Sequence, residues 1–310
     1  MGFAQKFSPR GLHDAEVIPI SPRPAYVCSM KNRFLEIRPT GLAATTLAAA
    51  TLVVALLAAP ARSQDLPDNL IRAELLPGWQ TDAGTRMAAL RLTLAPGWKT
   101  YWRAPGEAGI PPQFNWTGSA NVASVAYHWP RPAVFDLNGM RILGYKDQLV
   151  LPIEFAPVKP GQPVTVTGHV DLGVCDNICV PVSVDIAGEL SSGTRVDPLI
   201  RSALALGPDD GARAGIATPV CVAAPIRDGL RLNSRIKLPG AQTGDFAVVE
   251  LADTSVWVSS VESQAGNGSL TEVSDLVPSS AKPFALDRSS LRFTIFQTNG
   301  KVYELSGCTG

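Results

Sequence analysis

Between Val164 and Ile186, apolar side chains fall on alternate positions on both sides of a short break. Val164, Val166, Val170, Leu172 and Val174 share one face, with Gly168 among them, while Thr165, Thr167, His169, Asp171 and Cys175 share the other. After the break, Val180, Val182, Val184 and Ile186 alternate with Pro181, Ser183 and Asp185. A period of two sends successive side chains to opposite faces of a pleated strand. The stretch therefore reads as two half-buried strands joined through Asp176-Asn177-Ile178, of which Asp and Asn are turn formers. The pattern recurs upstream: Leu90, Leu92 and Leu94 oppose Arg91 and Thr93, and Leu149, Leu151, Ile153 and Phe155 share a face. Shorter strands are expected over Trp98–Trp102, Phe114–Trp116 and Val122–Trp129. Pro96-Gly97, Pro105-Gly106, Pro130, Pro132, Pro157 and Pro160-Gly161 punctuate them. Short strands at this spacing predict an immunoglobulin-like β-sandwich over residues 64–190.

Residues 191–219 read as a linker with one short helix, Leu199–Leu206. Asp197 is its N-cap, Pro198 its first residue and Gly207-Pro208 its stop. A second β pattern follows over residues 220–310. It includes Leu230, Leu232, Ile236 and Leu238, then Phe246–Leu251, Val256–Val258 and Leu291–Phe296. Asn299-Gly300 predicts a two-residue hairpin turn leading into Val302–Leu305. The fold class expected is all-β: an immunoglobulin-like sandwich followed by a second, smaller β-sandwich. The two halves share no identity that amounts to a repeat.

The first 63 residues are read as a targeting segment, not as fold. Thr45–Ala59 is a short apolar run preceded by Lys31, Arg33 and Arg38 and followed by Pro60-Ala61-Arg62-Ser63. These are the three parts of a cleavable secretory signal peptide, with cleavage after Ala61 or after Ser63. The competing reading, a retained anchor, calls for about 20 apolar residues. Met30-Lys31-Asn32-Arg33 resembles a natural start, which would leave Cys28 untranslated. No later stretch is apolar enough to span a bilayer, so the mature protein is expected to be soluble and periplasmic.

Hydrophobic residues make up 45% of the chain and charged residues 17%, as in globular proteins. With 27 basic and 27 acidic residues, the chain lacks the basic excess that phosphate binding requires, and a nucleic-acid partner is not expected.

Four cysteines follow the targeting segment: Cys175, Cys179, Cys221 and Cys308. An even number in an exported chain points to disulfides. Cys175 and Cys179 flank the hairpin break. Directly opposed residues of antiparallel strands have Cα atoms about 4.5–5.5 Å apart, within the roughly 4.4–6.8 Å that a disulfide spans. Their parity places both sulfurs opposite the valine rows, outside that core. Closing so short a loop stabilises little, which suits a bond made to exchange, although an ordinary structural hairpin disulfide fits the spacing too. Asp176, next to Cys175, opposes thiolate formation.

The residues 97–116 (GWKTYWRAPGEAGIPPQFNW), Trp129-Pro130-x-Pro132, Gly144-Tyr145, Leu149–Ile153 and the closing Cys-x-x-x-Cys-Val-Pro resemble the N-terminal periplasmic domain of the thiol:disulfide interchange protein DsbD, and more closely its ScsB-like relatives. That resemblance implies an immunoglobulin-like fold in which Cys175 and Cys179 shuttle electrons. A membrane thiol reductase would reduce the pair, which would then reduce thioredoxin-like periplasmic proteins. By the same resemblance one of the two sulfurs attacks the partner, Cys179 being the preferred choice over Cys175, Asp136 assists proton transfer and Tyr145 flanks the loop covering the disulfide. Asn138 stands where better-known members carry an aromatic cap, and the two cysteines are closer together than in those members. The chain ends soon after Cys308, so separate partners are expected to supply electrons.

Cys221 and Cys308 are expected to form a structural disulfide joining the ends of the second sandwich. His169 shares a strand face with Cys175 and is read as a surface residue, as most such histidines are. Trp98, Trp102, Trp116 and Trp129 are read as packing residues. No metal-ligand, nucleotide-binding or hydrolase motif is present, and no cofactor is expected. Two other classes remain open: a redox-inert scaffold with structural disulfides, and a Cu(I) carrier using the reduced pair, since soft thiolates suit that ion.

Overall fold

The computed structural model describes residues 67, 69–137 and 139–310. The expected signal peptide, its cleavage sites, the Met30 start and Asn138 lie outside these residues. Among the described residues, no helix is long and apolar enough to cross a membrane.

The first ten strands form two facing sheets. One sheet has the order β1-β2-β8-β5, built from β1 (Ile71–Gln80), β2 (Arg86–Leu94), β8 (Gln148–Pro157) and β5 (Val122–Tyr127). The other has the order β10-β9-β3-β7-β6, with β10 (Cys179–Glu189), β9 (Thr165–Cys175), β3 (Lys99–Gly106), β7 (Met140–Lys146) and β6 (Ala133–Leu137). The short β4 (Gln113–Asn115) pairs with β9. The core between the sheets is the one the alternation predicts. Leu90, Leu92, Leu149, Leu151, Ile153 and Phe155 meet Val164, Val166, Val170, Leu172 and Val174. Trp98, Trp102 and Trp129 are buried in that core, and Trp116 packs against it.

The segment expected to be a linker is ordered. Its helix, α1 (Pro198–Leu204), is capped by Asp197, whose side chain accepts from the backbone N–H groups of Leu199 and Ile200. It ends two residues before the expected Leu206. Ile200 and Ala203 pack on Met87, Ala89 and Val150, covering the outer face of the β2–β8 sheet.

A second sandwich follows. Its sheets are β11-β18-β17-β14, from β11 (Asp209–Asp210), β18 (Val302–Ser306), β17 (Leu291–Phe296) and β14 (Phe246–Leu251), and β12-β13-β16-β15, from β12 (Val220–Ile226), β13 (Gly229–Lys237), β16 (Ser269–Pro278) and β15 (Val256–Gly266). Leu232, Ile236, Leu270 and Leu276 pack on Ala247, Val249, Phe293 and Ile295. One expectation changes. The two-residue hairpin turn lies at Asn267-Gly268, where both residues have positive φ (52° and 72°), between Gly266 and its partner Ser269. At Asn299-Gly300 the connection is longer. Phe296 pairs with Val302, and only Gly300 of the dipeptide has positive φ.

The β14–β17–β18 sheet has two covered faces. Its inner residues fill the second core, and Phe246, Val248, Phe296 and Val302 pack into the core of the first sandwich. One compact unit, Asp65–Gly310, therefore contains both sandwiches.

Candidate functional site

Strands β9 and β10 pair in unbroken register from Thr165↔Glu189 to Cys175↔Cys179. The two cysteines close the ladder as a disulfide with Cα atoms 4.2 Å apart. Only Asp176, Asn177 and Ile178 lie beyond it, all exposed, with the Asp176 N–H donating to the Ile178 carbonyl at 3.1 Å.

The two sulfurs sit in different surroundings. Cys179 is exposed, whereas Cys175 is 6% exposed. The parity argument holds in part: Cys175 faces away from the valine core, but a second, small apolar cluster covers it. Tyr101 on β3 and Ile142 on β7 are buried in that cluster, and Phe135 and Leu137 on β6 pack against it. An aromatic and a leucine from the β6–β7 hairpin thus provide cover.

Tyr101 is the central residue of the site. Its hydroxyl oxygen lies 2.6 Å from Cys175 Sγ and 3.0 Å from Cys179 Sγ. Its ring fits because two glycines make room for it. A Cβ at Gly173 would stand 2.8 Å from the ring and one at Gly109 also 2.8 Å. Burial raises the phenol's pKa, so at neutral pH it stays protonated and can donate to a sulfur. Thiolates are better acceptors than disulfide sulfurs, so this contact strengthens when the pair is reduced.

Lys99 lies opposite Cys175 in the β3–β9 register, with its ammonium 3.8 Å from Asp176 Oδ1 and 5.7 Å from the centroid of the Phe135 ring. The carboxylate that would oppose a thiolate therefore has a cation beside it.

The other residues singled out by sequence lie elsewhere. Asp136 falls between Phe135 and Leu137 on β6, so its side chain projects away from the cluster, and its Oδ1 accepts the Gly139 N–H at 3.1 Å. Tyr145 is buried in the main core. It donates to the Pro130 carbonyl at 2.7 Å, stacks on Trp129, and burial holds its pKa well above the usual phenol range. His169 is exposed between Asp185 (2.7 Å) and Asp171 (3.3 Å), which raise its pKa. Cys221 is buried and bonded to Cys308 with Cα atoms 5.9 Å apart, far along the chain from the Cys175–Cys179 pair.

Tyr101, Lys99 and Phe135 are absent from the sequence-level site because the register between distant strands brings them to the sulfurs. Tyr101 and Lys99 do share a parity in the WKTYW alternation, and Gly109 and Gly173 mark where the chain must leave space.

This arrangement is a surface disulfide with one accessible sulfur and one sheltered under a hydroxyl donor. Residues 72–190 match the family described as thiol:disulfide interchange protein DsbD, N-terminal. That match falls within the first sandwich. Among solved structures, the chain is similar to the N-terminal periplasmic domain of ScsB from Proteus mirabilis, at 22% identity and a TM-score of 0.53, covering 80% of this chain and 97% of that one. A marsupial T cell receptor also matches, at 12% identity and a TM-score of 0.16, covering 80% of this chain and all of the other. No curated protein matches the chain.

Proposed function

We propose that the chain is a periplasmic thiol–disulfide exchange protein that passes electrons from a membrane thiol reductase to thioredoxin-like partners through Cys175 and Cys179. The observation that carries this reading is the asymmetry of the pair: Cys179 is open to an incoming partner, and Cys175 is held under the Tyr101 hydroxyl. The family match over residues 72–190 and the periplasmic origin of the similar ScsB domain support it. The domain division that goes with it is a signal peptide over residues 1–63, a redox domain over 64–190, a linker over 191–219 and a second domain over 220–310.

In the reducing direction, the Cys179 thiolate attacks a partner disulfide and one partner sulfur leaves as a thiolate that takes up a proton. The Cys175 thiolate then attacks Cys179 Sγ, the second partner sulfur leaves and is protonated, and the Cys175–Cys179 bond re-forms. Two electrons and two protons pass to the partner. A hydrogen bond from Tyr101 to the sheltered sulfur lowers the cost of its charge in the second step. Cys221–Cys308 stays oxidised as a brace within the second sandwich. Asp136 and Tyr145 have no part in this scheme, because neither contacts a sulfur.

The test is the reduction potential of the Cys175–Cys179 pair, measured by dithiothreitol titration with the two bonds resolved by mass. A value between about −180 and −270 mV lies in the range of exchange proteins and supports the proposal. A value below about −300 mV makes the bond structural and the chain a redox-inert scaffold.

A further inference from the structure

Arg141 stands at the joint between the disulfide's cover and the second sandwich. On β7 it precedes Ile142, which is buried with Cys175, and in the hairpin register it lies between the pairs Phe135↔Ile142 and Leu137↔Met140. Its guanidinium carbon is 3.8 Å from the centroid of the Phe246 ring, on β14. Phe246 in turn stacks on Phe296 at 4.8 Å, and Phe296 meets Trp102 edge-on at 5.9 Å. The Arg141 backbone is also fixed: its carbonyl accepts from the Glu107 N–H at 3.0 Å, and its N–H donates to Glu107 Oε1 at 3.3 Å.

The neighbouring strand is gripped at the same level. Tyr101 pairs with Gly144 and Gly106 with Ile142, so Trp102–Pro105 bulge out of β3. The bulge carries Arg103 into the second sandwich, where it forms a two-pronged pair with Glu250 (2.8 and 3.0 Å) and reaches Glu304 at 2.7 Å. The two strands that bring Tyr101 and Ile142 to the sulfurs are thus both held by one face of the second sandwich. Apart from the β3–β7 ladder, the Glu107 bonds and Lys99 beside Phe135, the cover has little other support. β6 is the edge strand of its sheet, and Phe135 and Leu137 are only half-buried. An edge hairpin with few buried contacts opens locally at low free energy unless something holds it.

From this arrangement we infer that the second sandwich is a positioning element for the disulfide: Phe246, through Arg141, holds the β6–β7 hairpin closed over Cys175. The proposed exchange function gives the cover its use, but the closure can be measured without it. Opening would uncover the sheltered sulfur and free the Tyr101 ring, so the second sandwich sets how readily a thiol reaches the pair.

The experiment follows reduction of the Cys175–Cys179 bond in the full chain by dithiothreitol, which is oxidised to its cyclic disulfide. Thiols are trapped with a maleimide and assigned by peptide mass, which separates this bond from Cys221–Cys308. Phe246→Ala and Arg141→Met are expected to raise the second-order rate constant about tenfold, as the loss of one half-buried cation–π contact would do to an opening equilibrium. Arg141→Lys, which keeps a cation over the ring, should stay close to the wild-type rate. Val248→Ala trims the same sheet face without touching Arg141 and should leave the rate unchanged. If circular dichroism shows Phe246→Ala to be unfolded, Arg141→Met decides alone. Wild-type rates in the folded Phe246→Ala and Arg141→Met proteins overturn the inference, as does an equal acceleration in Val248→Ala. A structural-disulfide potential together with accelerated variants would sink the exchange function and leave the inference standing. An exchange-type potential with unaltered rates would do the reverse.

Discussion

Tyr101 turns the hairpin disulfide into an asymmetric pair. Its hydroxyl is within hydrogen-bonding distance of both sulfurs, and burial keeps it protonated, so its donor capacity goes to whichever sulfur carries charge. Hydrogen bonds to charged groups contribute about 1.5–3 kcal/mol. Losing one from the reduced state favours the oxidised state. Tyr101→Phe is therefore expected to shift the potential of the pair by about 30 mV or more in the negative direction, since 30 mV corresponds to about 1.4 kcal/mol for two electrons. Titration of the variant against the wild type checks the sign, and a shift to more positive values would mean that the hydroxyl favours the disulfide instead. The cysteine pair itself was legible because its chemistry is local: two sulfurs flank a three-residue turn between strands of matched parity. Its partners were not, because Lys99, Tyr101, Phe135 and Ile142 come from three other strands. Which of them meet is set by the β3 bulge and by the room left at Gly109 and Gly173. Asp136 shows the limit from the other side. Both of its chain neighbours pack beside Cys175, yet parity on β6 sends Phe135 and Leu137 inward and the carboxylate out to the turn.

At the level of elements, alternation predicts strands wherever one face is buried and the other wet, as in β9 and β13. It fails where that condition fails. β1 is half-buried on both faces and is bulged between Leu76 and Trp79 at Pro77-Gly78. A Cβ on Gly78 would meet the Met87 carbonyl oxygen, so only glycine fits the close approach of β2 there. β15 carries an extra residue between Ser260 and Glu262, which flips its parity midway and hides most of an eleven-residue strand from any period-two reading. Helix α1 was legible because capping is also local chemistry: Asp197 and Pro198 mark its start unaided. The sequence could not show that α1 closes over the β2–β8 sheet, where Ile200 is fully buried. Asp197→Ala removes the acceptor for two backbone N–H groups and is expected to lower stability by about 1 kcal/mol. That corresponds to a melting temperature about 2–4 °C lower for a chain of this size, read by calorimetry. No change would mean that packing against Met87 and Val150 alone sets the helix.

Across the whole molecule, the two sandwiches share more than a hinge, and one buried acid near their junction should make its strength depend on pH. Glu272 lies on the inner face of β16 with no exposed surface. Ser260 donates to its Oε1 at 2.7 Å, while Oε2 has no partner. Burial raises its pKa from 4.5 to about 7, opposed by the nearby hydroxyls of Ser263, Ser260 and Ser274 and by the charge of Arg141 across the junction. The folded state therefore holds a proton that the unfolded chain has already released between those two values. Stability is greatest below about pH 4.5, falls as pH rises toward 7, and is level above that, as far as this group is concerned. A shift of this size corresponds to about 3 kcal/mol across the window. Glu272→Gln keeps the shape and removes the titration. Denaturant melts from pH 5 to pH 8 should show wild-type stability falling relative to the variant, with the difference complete near pH 8. Parallel curves would mean that Glu272 stays ionised in the folded protein, with Arg141 as its effective counter-charge. The cation that holds the cover over Cys175 would then be spending part of its field on the second core, and Arg141→Met would destabilise the two sandwiches together.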